Sequence, residues 1–345
     1  MEYNLAFIGF GTVGQGLANL LWEKKDLLRA RYGFEYRVVA ISDPLKGSVY
    51  NPEGLELGKL LSLAKETGKI DGYPQGEKGW DSLKTIKESN ADIVIEVTYT
   101  DIQTGEPAIS HIKAALKGKR HVVTTNKGPI ALAYQELSEL AKANGVFLRF
   151  EGTVLSGTPS LNLGMEALAG AEIREIRGIL NGTTNYILTD MSKGIGYEAA
   201  LKEAQRLGYA EAKPDADVEG WDAVAKIVIL ANALMGGDVK VADVERKGIT
   251  GIGLADVEAA RREGKCWKLI ARAWRENGEV KAKVTPEKIA REDFLATVSG
   301  VTNALVLDTD TLGEVMITGP GAGGREAGFA LLSDMLSIHR SLAGH

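Results

Sequence analysis

Apolar and polar positions alternate in two different ways along the chain. Over the first 150 residues, short apolar runs are separated by longer segments of helical period. Residues 3–9, Tyr-Asn-Leu-Ala-Phe-Ile-Gly, read as a short buried strand, and a long helical pattern follows from Gln15 to about Ala30. Residues 37–42 form a second apolar run that ends at Asp43, and residues 93–97 a third that ends at Thr98. A fourth, 121–124, runs into Thr125-Asn126-Lys127, and a fifth covers 146–150. Helical patterns occupy about 107–116 and 131–143. This alternation predicts a doubly wound parallel sheet, with ligands at the C-terminal ends of the strands. Residues 50–90 interrupt it. They hold one amphipathic helix, about 57–66, and a Gly-rich polar loop around 72–79, and they read as a surface insertion.

From Glu151 the pattern changes. Residues 172–180 alternate as a strand and end in Asn181-Gly182-Thr183-Thr184-Asn185. Residues 267–284 read as a hairpin around Asn277-Gly278. Strands follow near 302–307 and 313–318, and the Gly-rich run 319–324 opens a last amphipathic helix over 326–340. Two domains are expected: residues 1–150, completed by the C-terminal segment 319–345, and an α+β substrate domain over 151–318.

The least ordinary stretch is 208–230. It begins as a polar loop crowded with Glu211, Asp215, Asp217, Glu219 and Asp222, and it ends as an apolar helix. Asp217 is placed to cap that helix, and the acidic residues after it suit the positive end of a helix dipole. From Ala223 to Gly237 the single charged residue is Lys226. A helix apolar all round is buried, so Lys226 must pair, lose its charge or face a wet cavity. Asp222 lies four residues before it, on the same face. One reading is a structural Asp–Lys pair that fixes helix docking. The other is a site lysine that exchanges a proton with a substrate alcohol or carbonyl. Glu211 and Asp222 are then carboxylates able to meet a substrate ammonium group.

Gly9-Phe10-Gly11-Thr12-Val13-Gly14 follows the first strand at once and opens the first helix. This is G-x-G-x-x-G in the strand–turn–helix context that a Rossmann-type dinucleotide site requires. The first Gly permits the turn, the second lets pyrophosphate approach the backbone, and the third lets helix pack on strand. Asp43 is expected to accept hydrogen bonds from an adenosine ribose, which favours NAD. Lys46 and Ser48 lie just beyond, either as a 2′-phosphate site or as a solvated turn. Thr98 and Lys127 stand at two further strand ends and are candidate site residues. The loop 151–159 mixes Gly, Thr and Ser with a Pro stop, a composition that lets carbonyls turn toward one point.

Composition narrows the choice. At 345 residues with 44% hydrophobic and 25% charged, the chain is an ordinary globular one. Its net charge of −5 argues against a nucleic-acid surface, and no apolar run is long enough to span a membrane. One cysteine, Cys266, leaves no intrachain disulfide, and with no signal peptide the chain reads as cytoplasmic. Four scattered histidines do not make a zinc cluster. Cys266 has no histidine close in sequence, so a thiohemiacetal mechanism is not expected.

Taken together, the motifs resemble homoserine dehydrogenase over nearly the whole chain. The resemblance rests on Gly9–Gly14, Thr125-Asn126-Lys127, the 151–159 loop, Gly178-Ile-Leu-Asn-Gly-Thr-Thr-Asn-Tyr-Ile-Leu188, the 208–226 stretch and the 319–324 turn. The 178–188 and 208–226 blocks in this order and spacing are its most specific part. It implies reversible NAD(P)-dependent interconversion of L-homoserine and L-aspartate 4-semialdehyde, in threonine and methionine biosynthesis. It also implies an α+β catalytic and dimerisation domain and a homodimer. By length the chain looks like the short form, without a fused kinase or ACT domain. Carried over by position, Lys226 matches the proton donor and acceptor. Gly208, Glu211 and Asp222 match homoserine contacts, with Tyr209 and Thr183 nearby. Lys127 matches a lysine at the nicotinamide and substrate, and Gly323 a late cofactor contact. Glu151, Val154, Ser156 and Thr158 match positions that hold a monovalent cation, Na⁺ or K⁺, which would brace the joint between the domains. Arg325-Glu326 departs from the small or apolar residues many members have there. Two alternatives are another NAD(P)-dependent amino-acid or semialdehyde dehydrogenase on this scaffold, and a non-catalytic NAD(P)-binding regulator.

Overall fold

The computed structural model describes residues 1–344. Its first part contains β1 (Glu2–Ile8), α1 (Thr12–Tyr32), β2 (Glu35–Asp43), β3 (Gly47–Tyr50), α2 (Leu57–Thr67) and β4 (Glu77–Lys78). It continues with α3 (Ser82–Glu88), β5 (Ile93–Glu96), α4 (Ala108–Lys117), β6 (His121–Thr124), α5 (Lys127–Asn144) and β7 (Leu148–Arg149). After these come α6 (Ser160–Asn162), β8 (Ile173–Ile179), α7 (Gly182–Ser192), α8 (Tyr197–Arg206), α9 (Asp215–Val218) and α10 (Trp221–Met235). Last are β9 (Glu245–Arg246), α11 (Leu254–Arg262), β10 (Lys265–Glu276), β11 (Glu279–Ala290), β12 (Thr302–Thr309), β13 (Gly313–Pro320) and α12 (Gly324–Ala343). The chain divides into two units, Met1–Gly157 with the segment from Gly323 onward, and Thr158–Ala322.

The first unit is built on a sheet of order β4-β3-β2-β1-β5-β6-β7. β2, β1, β5, β6 and β7 pair in parallel, as the alternation predicts. Their apolar runs are buried on both faces, which is why they read as continuous rather than alternating. Leu17, Leu21, Leu331 and Met335 belong to one core cluster, and Ile112, Leu116 and Leu137 to another. Each such side chain, once buried, contributes about 1.5–3 kcal/mol. α12 packs on α1 at backbone distance. A Cβ at Gly16 would lie 2.1 Å from the Gly324 carbonyl oxygen, and one at Gly328 would lie 2.6 Å from the Leu17 nitrogen.

The surface-insertion reading of residues 50–90 is corrected. β3 and β4 pair antiparallel beyond β2 and extend the sheet. α3 follows, capped by the Asp81 carboxylate, which accepts from the Lys84 backbone N–H at 2.7 Å. Gly-Ser-Val-Tyr and Glu-Lys hold no continuous apolar run and are too short to show alternation, so the pattern hides them. Ser48 is accordingly a buried strand residue and not part of a solvated turn. α5 begins at Lys127, four residues before the predicted start, because Asn126 caps it and Pro129 is tolerated in the first turn.

The second unit holds a sheet of order β13-β12-β8-β10-β11-β9. The predicted hairpin is present but longer, with twelve residues in each of β10 and β11. Asn277 and Gly278 turn it with φ of 52° and 85°, as a tight two-residue hairpin loop needs. Pro286 and the charged residues around it mask the outer half of β11 in the sequence. Asp217 does not cap the apolar helix, contrary to expectation. It sits in α9, and Gly220, at φ 84°, breaks the chain before α10 begins at Trp221.

Candidate functional site

The dinucleotide motif lies where the strand–turn–helix reading puts it. A Cβ at Gly9 would lie 2.5 Å from the Val97 carbonyl oxygen, and one at Gly14 2.8 Å from that of Gly9. A Cβ at Gly11 would meet nothing within 4 Å, so open space stands before that backbone. The motif borders a cavity of about 800 Å³, lined among others by Gly9, Gly11, Thr12, Val13, Asp43 and Thr98. The Phe10 side chain is instead fully buried against Phe7. The Phe10 backbone N–H donates to Asp43 Oδ2 at 2.7 Å. Asp43 Oδ1 accepts from the N–H groups of Leu45 at 2.9 Å and Lys46 at 2.8 Å. This carboxylate therefore orders two turns, a role the sequence does not announce.

At the end of β5 the sequence reading missed a buried pair. Glu96 is wholly buried, and it accepts from the backbone N–H and the hydroxyl of Thr98. Thr124 Oγ1 donates to it at 3.3 Å, and His111 Nδ1 lies 3.6 Å away. His111 also lines the cavity. The available signal was one carboxylate closing an otherwise apolar strand, Ile-Val-Ile-Glu. Asn126 donates to the Tyr99 carbonyl at 3.1 Å, and Lys127 follows it as the first residue of α5.

In the 151–157 segment Glu151 and Val154 are buried, and the Glu151 N–H donates to the Asp334 carboxylate at 3.0 Å. Leu155 and Ser156 both take left-handed backbone conformations, φ 51° and 50°. Such geometry in non-glycine residues costs of order 1–3 kcal/mol and persists only where its surroundings impose it. Ser156 Oγ is buried without a hydrogen-bond partner. Thr158 opens the second unit, where its hydroxyl donates to the Pro320 carbonyl at 3.1 Å. Gly323 stands at the N-terminus of α12 with φ 128°. Arg325, the departure from the family pattern, makes a two-pronged pair with Glu23 of α1 at 3.0 and 2.6 Å.

The second unit assembles the other predicted residues around α10. Lys226 is 6% exposed, and its ammonium donates to the Leu180 carbonyl at 2.6 Å and to Asp222 Oδ2 at 2.7 Å. These two acceptors compensate a charge that burial alone would not tolerate. Asn181 ties the network together. Its amide donates to Asp217 Oδ1 at 2.7 Å and Asp222 Oδ2 at 3.0 Å, while its carbonyl caps α7 by accepting from Thr184. Thr183 Oγ1 donates to the Tyr209 carbonyl at 2.5 Å. Lys226, Asp222, Thr183 and Tyr209 are thus linked, with Asn181 and Asp217 as members the sequence reading did not assign to the site. Gly208 and Glu211 are exposed, and the Glu211 backbone carbonyl accepts from Gln205 at 3.1 Å. Cys266 lies in β10, where burial pushes its thiol pKa up and away from nucleophilic use.

This chain is similar to proteins of known name along its whole length. Residues 159–336 match the family model described as homoserine dehydrogenase, and residues 9–151 its NAD-binding domain. It is 45% identical to an NAD(+)-dependent homoserine dehydrogenase of Pseudomonas canavaninivorans, covering 99% of this chain and 97% of the relative. It is 44% identical to a homoserine dehydrogenase of Methanocaldococcus jannaschii over 98% and 99% of the two chains. A solved hyperthermophilic archaeal homoserine dehydrogenase in complex with NADPH superposes with a TM-score of 0.85 at 32% identity, over 99% and 98% of the two chains.

Proposed function

The chain belongs to the homoserine dehydrogenase family, and from that premise we propose how its residues carry the reaction. The activity is that of an NAD(P)-dependent oxidoreductase acting on a CH–OH group. The reaction is the reversible interconversion of the γ-hydroxyl of L-homoserine and the aldehyde of L-aspartate 4-semialdehyde. The nicotinamide, when bound, supplies or accepts the hydride. The chain holds its dinucleotide at Gly9, Phe10, Gly11, Thr12, Val13 and Gly14, with Asp43, Thr98, Lys127 and Gly323 as further contacts.

Lys226, as the neutral amine, takes the hydroxyl proton as homoserine is oxidised, and as the ammonium it returns that proton in reduction. The observation that carries this role is the buried ammonium held at 2.6 and 2.7 Å by Leu180 and Asp222. Such a clamp fixes where the proton is exchanged, and orientation of this kind supplies much of a rate enhancement. Lys127, at the start of α5, is a second candidate for the same proton. Glu211 and Asp222 meet the substrate ammonium group, with Gly208, Tyr209 and Thr183 shaping the site.

The 151–158 segment suits a monovalent cation, Na⁺ or K⁺. Supporting this are the partnerless Ser156 hydroxyl, the two left-handed residues beside it and the buried Glu151 carboxylate. Glu151, Val154, Ser156 and Thr158 would supply oxygen ligands, largely neutral, as a singly charged ion prefers over a divalent one. A cytoplasmic homodimer in threonine and methionine biosynthesis completes the reading.

The test is a spectrophotometric assay of homoserine oxidation, with NAD and NADP side by side. Turnover of homoserine with at least one cofactor is expected. A folded protein that binds dinucleotide but oxidises another amino-acid alcohol or aldehyde in preference would overturn the reading.

A further inference from the structure

Family membership leaves open which dinucleotide is used, since one relative is named NAD(+)-dependent and one solved structure holds NADPH. The wall of the cavity in the first unit bears on that choice. Beyond the end of β2 this wall carries three carboxylates, Asp43, Asp71 and Asp81, and no lysine or arginine among the described residues that line it.

The three acids are held by different means. Asp43 is committed through both oxygens to three backbone N–H groups. Asp81 accepts from the Lys84 backbone N–H. Asp71 Oδ1 accepts from Ser48 N–H at 3.2 Å, and its carboxylate lies against Gly47, where a Cβ would come within 1.8 Å of it. The turn after β2 is therefore shaped to receive this acid. Two cations near the wall, Lys78 and Lys84, are turned to other tasks, and Lys46, in the turn after β2, is not among the residues that line the cavity. Lys78 donates to the backbone carbonyls of Asp71 and Tyr73. The Lys84 ammonium lies 4.6 Å over the Trp80 ring, which itself stacks on Tyr50 at 4.4 Å.

In this fold the pyrophosphate sits at the Gly-rich turn and the adenosine ribose at the end of β2. A ribose with a free 2′-hydroxyl can donate to these carboxylates. A 2′-phosphate can only repel them and needs cationic partners. We propose that the wall selects against the 2′-phosphorylated dinucleotide, and that Asp71, on a segment far in sequence from the motif, is a specificity-determining residue beside Asp43. The inference rests on dinucleotide binding at the Gly-rich turn and not on the identity of the alcohol.

NADH and NADPH are titrated into the purified protein by fluorescence, without substrate, at low and at high salt. NADH is expected to bind at least tenfold more tightly at low salt. Asp71→Asn keeps an acceptor for Ser48 and removes the charge. It is expected to narrow the ratio at least threefold, through NADPH alone. High salt screens an exposed carboxylate and narrows the wild-type ratio in the same direction. Equal or tighter NADPH binding by the wild type overturns the proposal, as does a folded Asp71→Asn variant with an unchanged ratio. If that variant does not fold, a wild-type ratio indifferent to salt overturns it instead. Tight NADH binding without homoserine turnover removes the assigned reaction and leaves this inference standing.

Discussion

Lys226 shows what a single residue can disclose. One cation in the apolar run from Ala223 to Gly237 had to be compensated, and the sequence offered Asp222 one turn away as the partner. The Leu180 carbonyl was not legible, because a main-chain acceptor 46 residues distant leaves no side-chain signature. Asp217 was misread for a related reason. Its type suits a helix cap, and nothing local says that Gly220 breaks the chain before α10 and frees the acid to accept from Asn181. Replacing the lysine separates structure from chemistry. Lys226→Met keeps the length of the side chain and removes the ammonium. A fall in kcat of about 10²-fold or more is expected, the usual contribution of a positioned acid or base. NADH affinity should stay within about twofold, because none of the residues proposed to hold the dinucleotide belongs to the Leu180–Asp222–Lys226 network. Near-normal homoserine turnover by a variant with native circular dichroism would leave only the structural Asp–Lys pair.

At the scale of elements, apolar runs and long helical periods were readable, and short segments of mixed character were not. β1, α1, β5, α4 and β6 follow from apolar runs and helical period, and the β10–β11 hairpin from Asn277-Gly278. β3, β4 and α3 did not, since Gly-Ser-Val-Tyr and Glu-Lys hold no apolar run and the seven residues of α3 make only two turns. That omission also concealed Asp71, which acquires its place only through pairing across β2 and β3. The contact of α12 with α1 is another feature that only packing reveals. Gly328 has an ordinary helical position, yet a Cβ there would sit 2.6 Å from the Leu17 backbone nitrogen and 2.7 Å from the Gly16 carbonyl carbon. Backbone cannot give way as a flexible side chain can. Gly328→Val is therefore expected to destabilise the first unit by about 1–3 kcal/mol, the usual cost of overpacking. Urea unfolding at fixed pH measures it. A midpoint unchanged from the wild type would mean that the helices separate freely and that the close contact is not needed.

For the whole molecule, the alternation of β and α gave the class of the first sheet, and the change of pattern after Glu151 marked a second kind of architecture. What the sequence could not supply is the conformation of the 151–157 segment, where the chain is about to leave one unit for the other. No propensity scale assigns Leu155 and Ser156 to the left-handed region, and that geometry, beside the buried Ser156 hydroxyl, is what motivates the proposed cation. An ion bound only by the native chain stabilises it by mass action. At ten times its dissociation constant the gain is about 1.4 kcal/mol, which shifts the midpoint of a unit of this size by roughly 3–5 °C. Exchanging all Na⁺ and K⁺ for a bulky organic cation at constant ionic strength should therefore lower the thermal midpoint by that amount. EDTA should do nothing, because a ligand set with one carboxylate and several neutral oxygens does not favour a divalent ion. Scanning calorimetry in the three buffers distinguishes the cases. A loss of stability in EDTA that magnesium or zinc restores would assign the segment to a divalent ion. A midpoint that moves in none of the buffers would leave the strained turn and the buried Ser156 hydroxyl without an ion to account for them.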